Sequence, residues 1–428
     1  MASQPAPRRH SLSPICFGRP GKRLRAGRID SQITRSALNA RTMTMITTTE
    51  ALEAACDALL QHPYVAVDTE FMRETVYWPQ LCLIQAAAGE TEVIIDPLAE
   101  GIDLEPFWEL MADERIIKVF HAARQDLEIF FHQGGDALIP HPMFDSQVAA
   151  MALGLGDSIA YDALVRTLLN RPIDKGPRFT DWSRRPLSDA QTKYAIADVT
   201  HLRDLYPMMV ERLEKTGRTE WLAGEMKTLT SPSTYRLDPE ESWRRMKLRK
   251  TTTKWVASLR AAAAWRETEA QTRDMPRQRV MKDDAIYEIA NVAPTAPEQL
   301  TGLRAVPKGF ERSSAAKRLF DKMSEALADA EAYAPKVEKP APPPQGVGPT
   351  VELLKVFLKL VADEKDVAPR LIANAADLEK IAADDKADVQ ALTGWRREVF
   401  GEPALKLKRG EMALALKDGK VVVVDTKG

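Results

Sequence analysis

Cysteine is scarce in this chain of 428 residues: Cys16, Cys56 and Cys82 are the full set, and no two are close-spaced. That excludes a disulfide scaffold and a thiolate zinc site, and it indicates a reducing compartment. Neither sign of charge is in surplus. Sixty Lys and Arg against 61 Asp and Glu leave a formal net charge of −1, so any contact with nucleic acid has to come from local patches. Long apolar runs are missing as well, and none approaches the roughly 18 residues of a membrane span. What remains is an ordinary globular balance, 44% hydrophobic and 28% charged. At about 150 residues per domain the length suggests three domains. The expectation is a multidomain, soluble, cytoplasmic protein.

Residues 1–44 stand apart. Nine Lys and Arg with the single acid Asp30 fall within residues 1–42, among scattered Pro, Ser and Gly. No apolar stretch of the kind a secretory signal needs is present. Three readings stay open: codons upstream of the true start, a disordered basic tail, or an organelle-targeting segment. Thr47-Thr48-Thr49-Glu50 then reads as the start of a helix running into Ala51–Leu60.

From there to about residue 228 the pattern is mixed. Residues 64–68, 81–87 and 92–96 read as three strands rich in β-branched residues, 104–113 as a helix, 116–120 as a strand and 123–132 as a helix. A meander followed by alternating α and β predicts a mixed sheet with helices on its faces. Residues 239–332 read as helical throughout. A linker over 333–349 carries six prolines, and helical character resumes over 350–428. The two helical blocks share a pattern. Gln299-Leu300-Thr301-Gly302-Leu303-Arg304 matches Ala391-Leu392-Thr393-Gly394-Trp395-Arg396 at an offset of 92, and the apolar positions 286, 289 and 290 match 378, 381 and 382 at the same offset. This is the signature of a duplicated small helical domain.

Three acidic elements carry the chemistry. Asp68-Thr69-Glu70 closes the first of those strands, and alternation puts both carboxylates on one face. Two like charges that close favour a shared cation, and a hard divalent ion suits oxygen ligands. Asp126 lies in the first turn of a helix, where the dipole also favours an anion. Tyr194 and Asp198 are i and i+4 on the helix that starts near Ser188. Each element alone is commonplace.

Together they resemble the DEDD superfamily of 3′→5′ exonucleases. The surrounding sequence is closer to one family. Val67–Thr75 with Tyr77-Trp78-Pro79, Leu81–Gln85, His121–Phe130, and Asp181-Trp182 with Arg185-Pro186-Leu187 resemble ribonuclease D. The helical blocks resemble the HRDC domains that follow the nuclease domain in that family. The resemblance implies a ribonuclease H-like α/β exonuclease domain at 45–228, a first HRDC domain at 239–332 and a second, HRDC-like one at 350–428. It further implies that Asp68, Glu70, Asp126 and Asp198 bind two divalent ions, Mg²⁺ or Mn²⁺, while Tyr194 orients the attacking water. Such a pair of ions can activate the water and stabilise the leaving 3′-oxygen. The implied substrate is RNA, chiefly tRNA precursors trimmed to release 5′-monophosphates, and a monomer is expected. The alternatives are a Werner-type DNA exonuclease and an inactive RNA-binding scaffold.

Other residues have two readings each. Asp145 reads as an N-cap rather than a fifth ligand. Phe71, Gln85 and His121 are candidates to touch the terminal nucleotide, against packing or a wet strand face. Lys175, Arg178, Arg184 and Arg185 with Trp182 make the loop 171–187 a candidate backbone clamp. Arg244, Arg245, Lys247, Arg249, Lys250, Lys254 and Arg260, interleaved with Trp243 and Trp255, form a candidate RNA patch or a solvated helix face. Because every candidate catalytic residue precedes Thr228, a fragment ending there is expected to retain hydrolysis.

Overall fold

The computed structural model describes residues 44–135, 137–174, 176, 180–337 and 346–426. The expectations for residues 1–43, Lys175 and Arg178 lie outside them. A first strand, β1 (Thr44–Ile46), precedes α1 (Thr49–Leu59), which Thr48 caps as its sequence predicts. The meander follows as β2 (Tyr64–Met72), β3 (Gln80–Ala88) and β4 (Thr91–Ile95). Next come α2 (Glu105–Ala112), β5 (Ile117–Phe120), α3 (Arg124–Gln133), β6 (Met143–Asp145) and α4 (Ser146–Ala152). Two further helices, α5 (Tyr161–Leu169) and α6 (Asp189–Thr216), complete the unit, and a Ser188–Gln191 capping box starts α6.

The six strands form one mixed sheet in the order β1-β4-β3-β2-β5-β6. The meander is antiparallel, whereas β1, β5 and β6 pair parallel to their neighbours. Alternation along β2 divides the core. Val65 and Val67 pack with α1, α2 and α3 on one face, and Ala66 packs with α4, α5 and α6 on the other.

Beyond α7 (Ala223–Leu229) the chain is helical. The first block holds α8 (Thr253–Thr272), α9 (Arg277–Val280), α10 (Asp283–Val292), α11 (Ser314–Ala328) and α12 (Ala330–Tyr333) around its own core. The second holds α13 (Val347–Lys365), α14 (Pro369–Ile372), α15 (Ala375–Ala383), α16 (Gly394–Arg396) and α17 (Glu402–Lys408). Two helices in each block start at the offset of 92 seen in the sequence: α9 and α10 begin at 277 and 283, α14 and α15 at 369 and 375. The second block does not remain helical to its end. A hairpin of β7 (Met412–Lys417) and β8 (Lys420–Asp425) follows α17, and α13 begins at Val347, inside the expected linker. No helix among the described residues is long and apolar enough to cross a membrane.

Both blocks dock on the sheet domain. Asp274, after α8, accepts from the backbone N–H groups of Tyr77 and Trp78 at 2.9 and 2.8 Å. Toward the second block, Arg218, just after α6, donates to the Asp366 carbonyl, and Trp221 stacks on Trp395 with centroids 4.0 Å apart.

Candidate active site

The end of β2 is where the two faces of the sheet meet one cleft. Asp68 and Glu70 leave the strand toward α6, and Thr69 between them points toward α3. A register shift between Glu70 and Phe71 bends the strand just past the acidic pair. The result is a cavity of about 400 Å³ lined by Asp68, Glu70, Asp126, Tyr194, Asp198 and Tyr161, among others.

Carboxylate oxygens of Asp68, Glu70 and Asp198 lie within 4.8 Å of one another. Asp126 joins from the other face, held by a hydrogen bond from the Thr69 hydroxyl. Burial first, and then the neighbouring Asp198 charge, push the Asp68 carboxyl up to about 8. The same two causes, with Asp68 as the neighbour, raise Asp126 well above the usual carboxylate range. No Lys or Arg among the described residues lines this cavity to offset them. A cluster of hard oxygen donors carrying surplus negative charge is the donor set a divalent cation requires. The residues present fit such an ion.

Tyr194 rises one turn before Asp198 on α6, and its hydroxyl hydrogen-bonds the Asp198 carboxylate. Burial and the surrounding carboxylates raise its pKa, so it stays a neutral phenol. Asp145 is structural, as read from its position. Its carboxylate accepts from Ala122 and Ala123 at 3.0 and 2.9 Å, and it caps α4 through Gln147 and Val148. It thereby fixes the turn that delivers Asp126. Ala122 in that turn sits at φ 58°, a left-handed conformation unusual for a residue with a Cβ.

The weaker candidates separate. Phe71 and His121 line the cavity, and the His121 imidazole meets Ser146 Oγ at 2.8 Å. Gln85 is opposite Asp68 in the strand register but fully buried, so it borders the acidic pair from beneath rather than lining the cleft. Trp182 is 2% exposed and packs 6.1 Å from the Tyr194 ring, which leaves no open face for a base. Arg185 is engaged inside the protein, donating to Asp96 at 2.6 and 2.7 Å and to the carbonyls of Cys82 and Trp182. Arg184 is exposed beside Asp181.

Trp243, just before the 244–260 segment, and Trp255 within it are both buried, so they present no stacking platform. Arg260 is tied to Glu240 and to the Tyr333 carbonyl, Arg244 pairs with Glu241, and Arg249 lies over the Tyr287 ring. Lys247, Arg245, Lys250 and Lys254 remain at the surface. Among the cavity residues that escaped the sequence reading, one sits against the acidic cluster. Tyr161, at the start of α5, donates to the Asp198 carbonyl and faces Asp68 and Tyr194. Nothing in its local spacing signals that role.

A four-carboxylate cleft at the end of a mixed sheet, with a tyrosine beside it, defines the class as a 3′→5′ exonuclease. The comparisons agree. Residues 43–214 match the 3′-5′ exonuclease family and residues 257–316 the HRDC domain. The chain is similar to ribonuclease D of Nitrobacter hamburgensis, 54% identical over 383 residues, 90% of this chain and 100% of that protein. It is 47% identical over 388 residues to ribonuclease D of Granulibacter bethesdensis, covering 90% and 97%. Its fold is similar to the crystal structure of Escherichia coli RNase D, an exoribonuclease involved in structured RNA processing. That match has a TM-score of 0.73 and 27% identity, and covers 86% and 99% of the two chains. The chain belongs to the ribonuclease D family: it is an exoribonuclease, a hydrolase acting on RNA from the 3′ end.

Proposed function

We propose that this exoribonuclease trims the 3′ ends of tRNA precursors in the cytoplasm, as a monomer, and releases nucleoside 5′-monophosphates. The observation that carries the catalytic part is the convergence of Asp68, Glu70 and Asp198 within 4.8 Å in the cleft that also holds Asp126 and Tyr194. Asp68, Glu70, Asp126 and Asp198 would together hold two divalent ions, Mg²⁺ or Mn²⁺. Bound there, the ions supply a nucleophile at neutral pH and charge stabilisation for the leaving 3′-oxygen.

The remaining work falls to the chain itself. Tyr194, neutral and anchored on Asp198, orients the attacking water through its hydroxyl. Thr69 keeps the Asp126 carboxylate turned into the cleft. Phe71 and His121 flank the terminal nucleotide. The exposed bases Arg184, Lys247, Lys250 and Lys254 lie outside the cleft and add backbone attraction at most. The domain division follows the same lines, with hydrolysis in 45–228 and RNA positioning in 239–332 and 350–428.

The test is hydrolysis of a tRNA precursor carrying a 3′ trailer beside a matched single-stranded DNA, with the products separated by chromatography. Trimming of the trailer to 5′-monophosphates, with the DNA left at least tenfold slower, is expected. Equal rates on both, or 3′-monophosphate products, would overturn the reading.

A further inference from the structure

A second cavity, of about 220 Å³, lies where the sheet domain meets the first helical block. It is lined by four arginines from four points along the chain. Arg73 follows β2, Arg124 opens α3, Arg245 precedes α8 and Arg277 opens α9. Among the described residues only two carboxylates face them. Glu128 takes one Arg73 N–H at 2.9 Å, and Glu267 takes Arg277. Arg245 reaches Glu267 only at 3.9 Å, and Arg124 makes no ion pair or hydrogen bond among the described residues. A guanidinium carries five N–H donors in a fork that matches phosphate oxygens, so donors are left over here and positive charge is in surplus.

The position of this cavity gives the surplus a meaning. Its walls are continuous with those of the acidic cleft on two elements. Gln125 and Asp126 line the cleft, while Arg124 and Glu128 of the same helix line the arginine cavity. Likewise Phe71 lines the first, and Arg73, roughly 6–7 Å further along extended chain, lines the second. A strand whose 3′ end occupies the acidic cleft must leave it with its backbone phosphates unneutralised.

We propose that the arginine cavity is a phosphate subsite for the RNA backbone 5′ of the scissile bond, with two of its four guanidiniums supplied by the first helical block. The proposal rests on the cleft being the site of 3′-end hydrolysis. It gives the helical block a direct share in substrate binding through Arg245 and Arg277, whereas most of its other bases are paired internally or spread over its surface.

Arg124 and Arg245 are the two to change, because Arg73 is committed to Glu128 within the sheet domain and Arg277 bonds both Glu267 and, across the domain boundary, the Tyr77 hydroxyl. The experiment is fluorescence anisotropy of a 5′-labelled single-stranded RNA decamer on the full chain in EDTA, over a salt series. Four proteins are compared: wild type, Arg124→Ala/Arg245→Ala, the corresponding double lysine variant, and Lys215→Ala/Lys359→Ala as a charge-matched control at exposed positions elsewhere. The double alanine variant is expected to bind about tenfold more weakly. Its slope of log K against log salt should fall by about 1.4, the loss of two phosphate contacts on a single strand. The lysine variant should recover most of the slope and only part of the affinity. An unchanged slope in the double alanine variant, or an equal loss in the control, would overturn the subsite. Hydrolysis by Asp68→Asn in Mg²⁺ separately tests the cleft, so the two readings fail by different measurements.

Discussion

Asp68 faces Asp198 and Asp126 in a cleft that no lysine or arginine of the described residues lines, and its carboxyl is raised to about 8. The unfolded chain releases this proton near pH 4, so between pH 4 and 8 the metal-free native state holds a proton that the unfolded state has lost. Stability contributed by the protonated group is therefore full below pH 4 and disappears as pH rises through 8. In EDTA the melting temperature is expected to fall between pH 5 and 8, and Asp68→Asn should flatten that fall; a wild-type profile already flat in EDTA would contradict it. Tyr194 makes a different prediction. Tyr194→Phe keeps the ring and loses the hydroxyl, so hydrolysis should slow about a hundredfold, with Mg²⁺ affinity, measured by calorimetry, unchanged. Normal rates would remove Tyr194 from the chemistry. At this scale the sequence was informative wherever spacing encodes a face, as with Asp68 and Glu70 or Tyr194 and Asp198. It was silent on Tyr161, which reaches the cleft through tertiary packing alone. Trp182 and Arg185 looked like a clamp, but burial and the Asp96 pair consume them.

Among the elements, β5 shows how a polar side chain specifies a strand. Lys118 is fully buried, and its ammonium donates to the carbonyls of Asp113, Ile116 and His141 at 2.6, 3.0 and 2.7 Å. Burial pushes its pKa down to about 8. Lys118→Met would leave three carbonyls without this donor, and a loss of about 2–4 kcal/mol in urea unfolding is expected. A loss under 0.5 kcal/mol would mean that those carbonyls are satisfied otherwise. The strands of the sheet were legible because their apolar runs are bounded by turn residues. β1 was not, since three residues carry no period. The β7–β8 hairpin did leave a signal: Asp418-Gly419 between two short apolar runs, both at positive φ, is the preferred two-residue turn. It was hidden by the expectation that the helical block continued to its end.

Over the whole molecule, the second helical block shares one hydrophobic core with α4, α5 and α6. A chain cut near Thr228 would uncover Val148, Met151, Leu213 and Leu222, which belong to that core. All the proposed catalytic residues would remain, but the domain that positions them would lose part of its packing, so the fragment is expected to be unstable rather than freely active. Trp395→Ala in the full chain removes the stack on Trp221 and should cost about 2 kcal/mol, with faster amide exchange along the C-terminal half of α6. Unchanged exchange there would mean that the block docks without this contact. Sequence periodicity pointed to two helical blocks but could not show this docking, because the apolar positions that face another domain look like those that face a block's own core. The central claim is that four carboxylates from β2, α3 and α6 act together in metal-dependent hydrolysis. The most direct measurement is the single-turnover rate on a 3′-tailed RNA at saturating Mg²⁺ for Asp68→Asn, Glu70→Gln, Asp126→Asn and Asp198→Asn, each checked for folding by circular dichroism. The account predicts that every variant folds and that each rate falls by about a thousandfold or more; a folded variant within tenfold of wild type would contradict it.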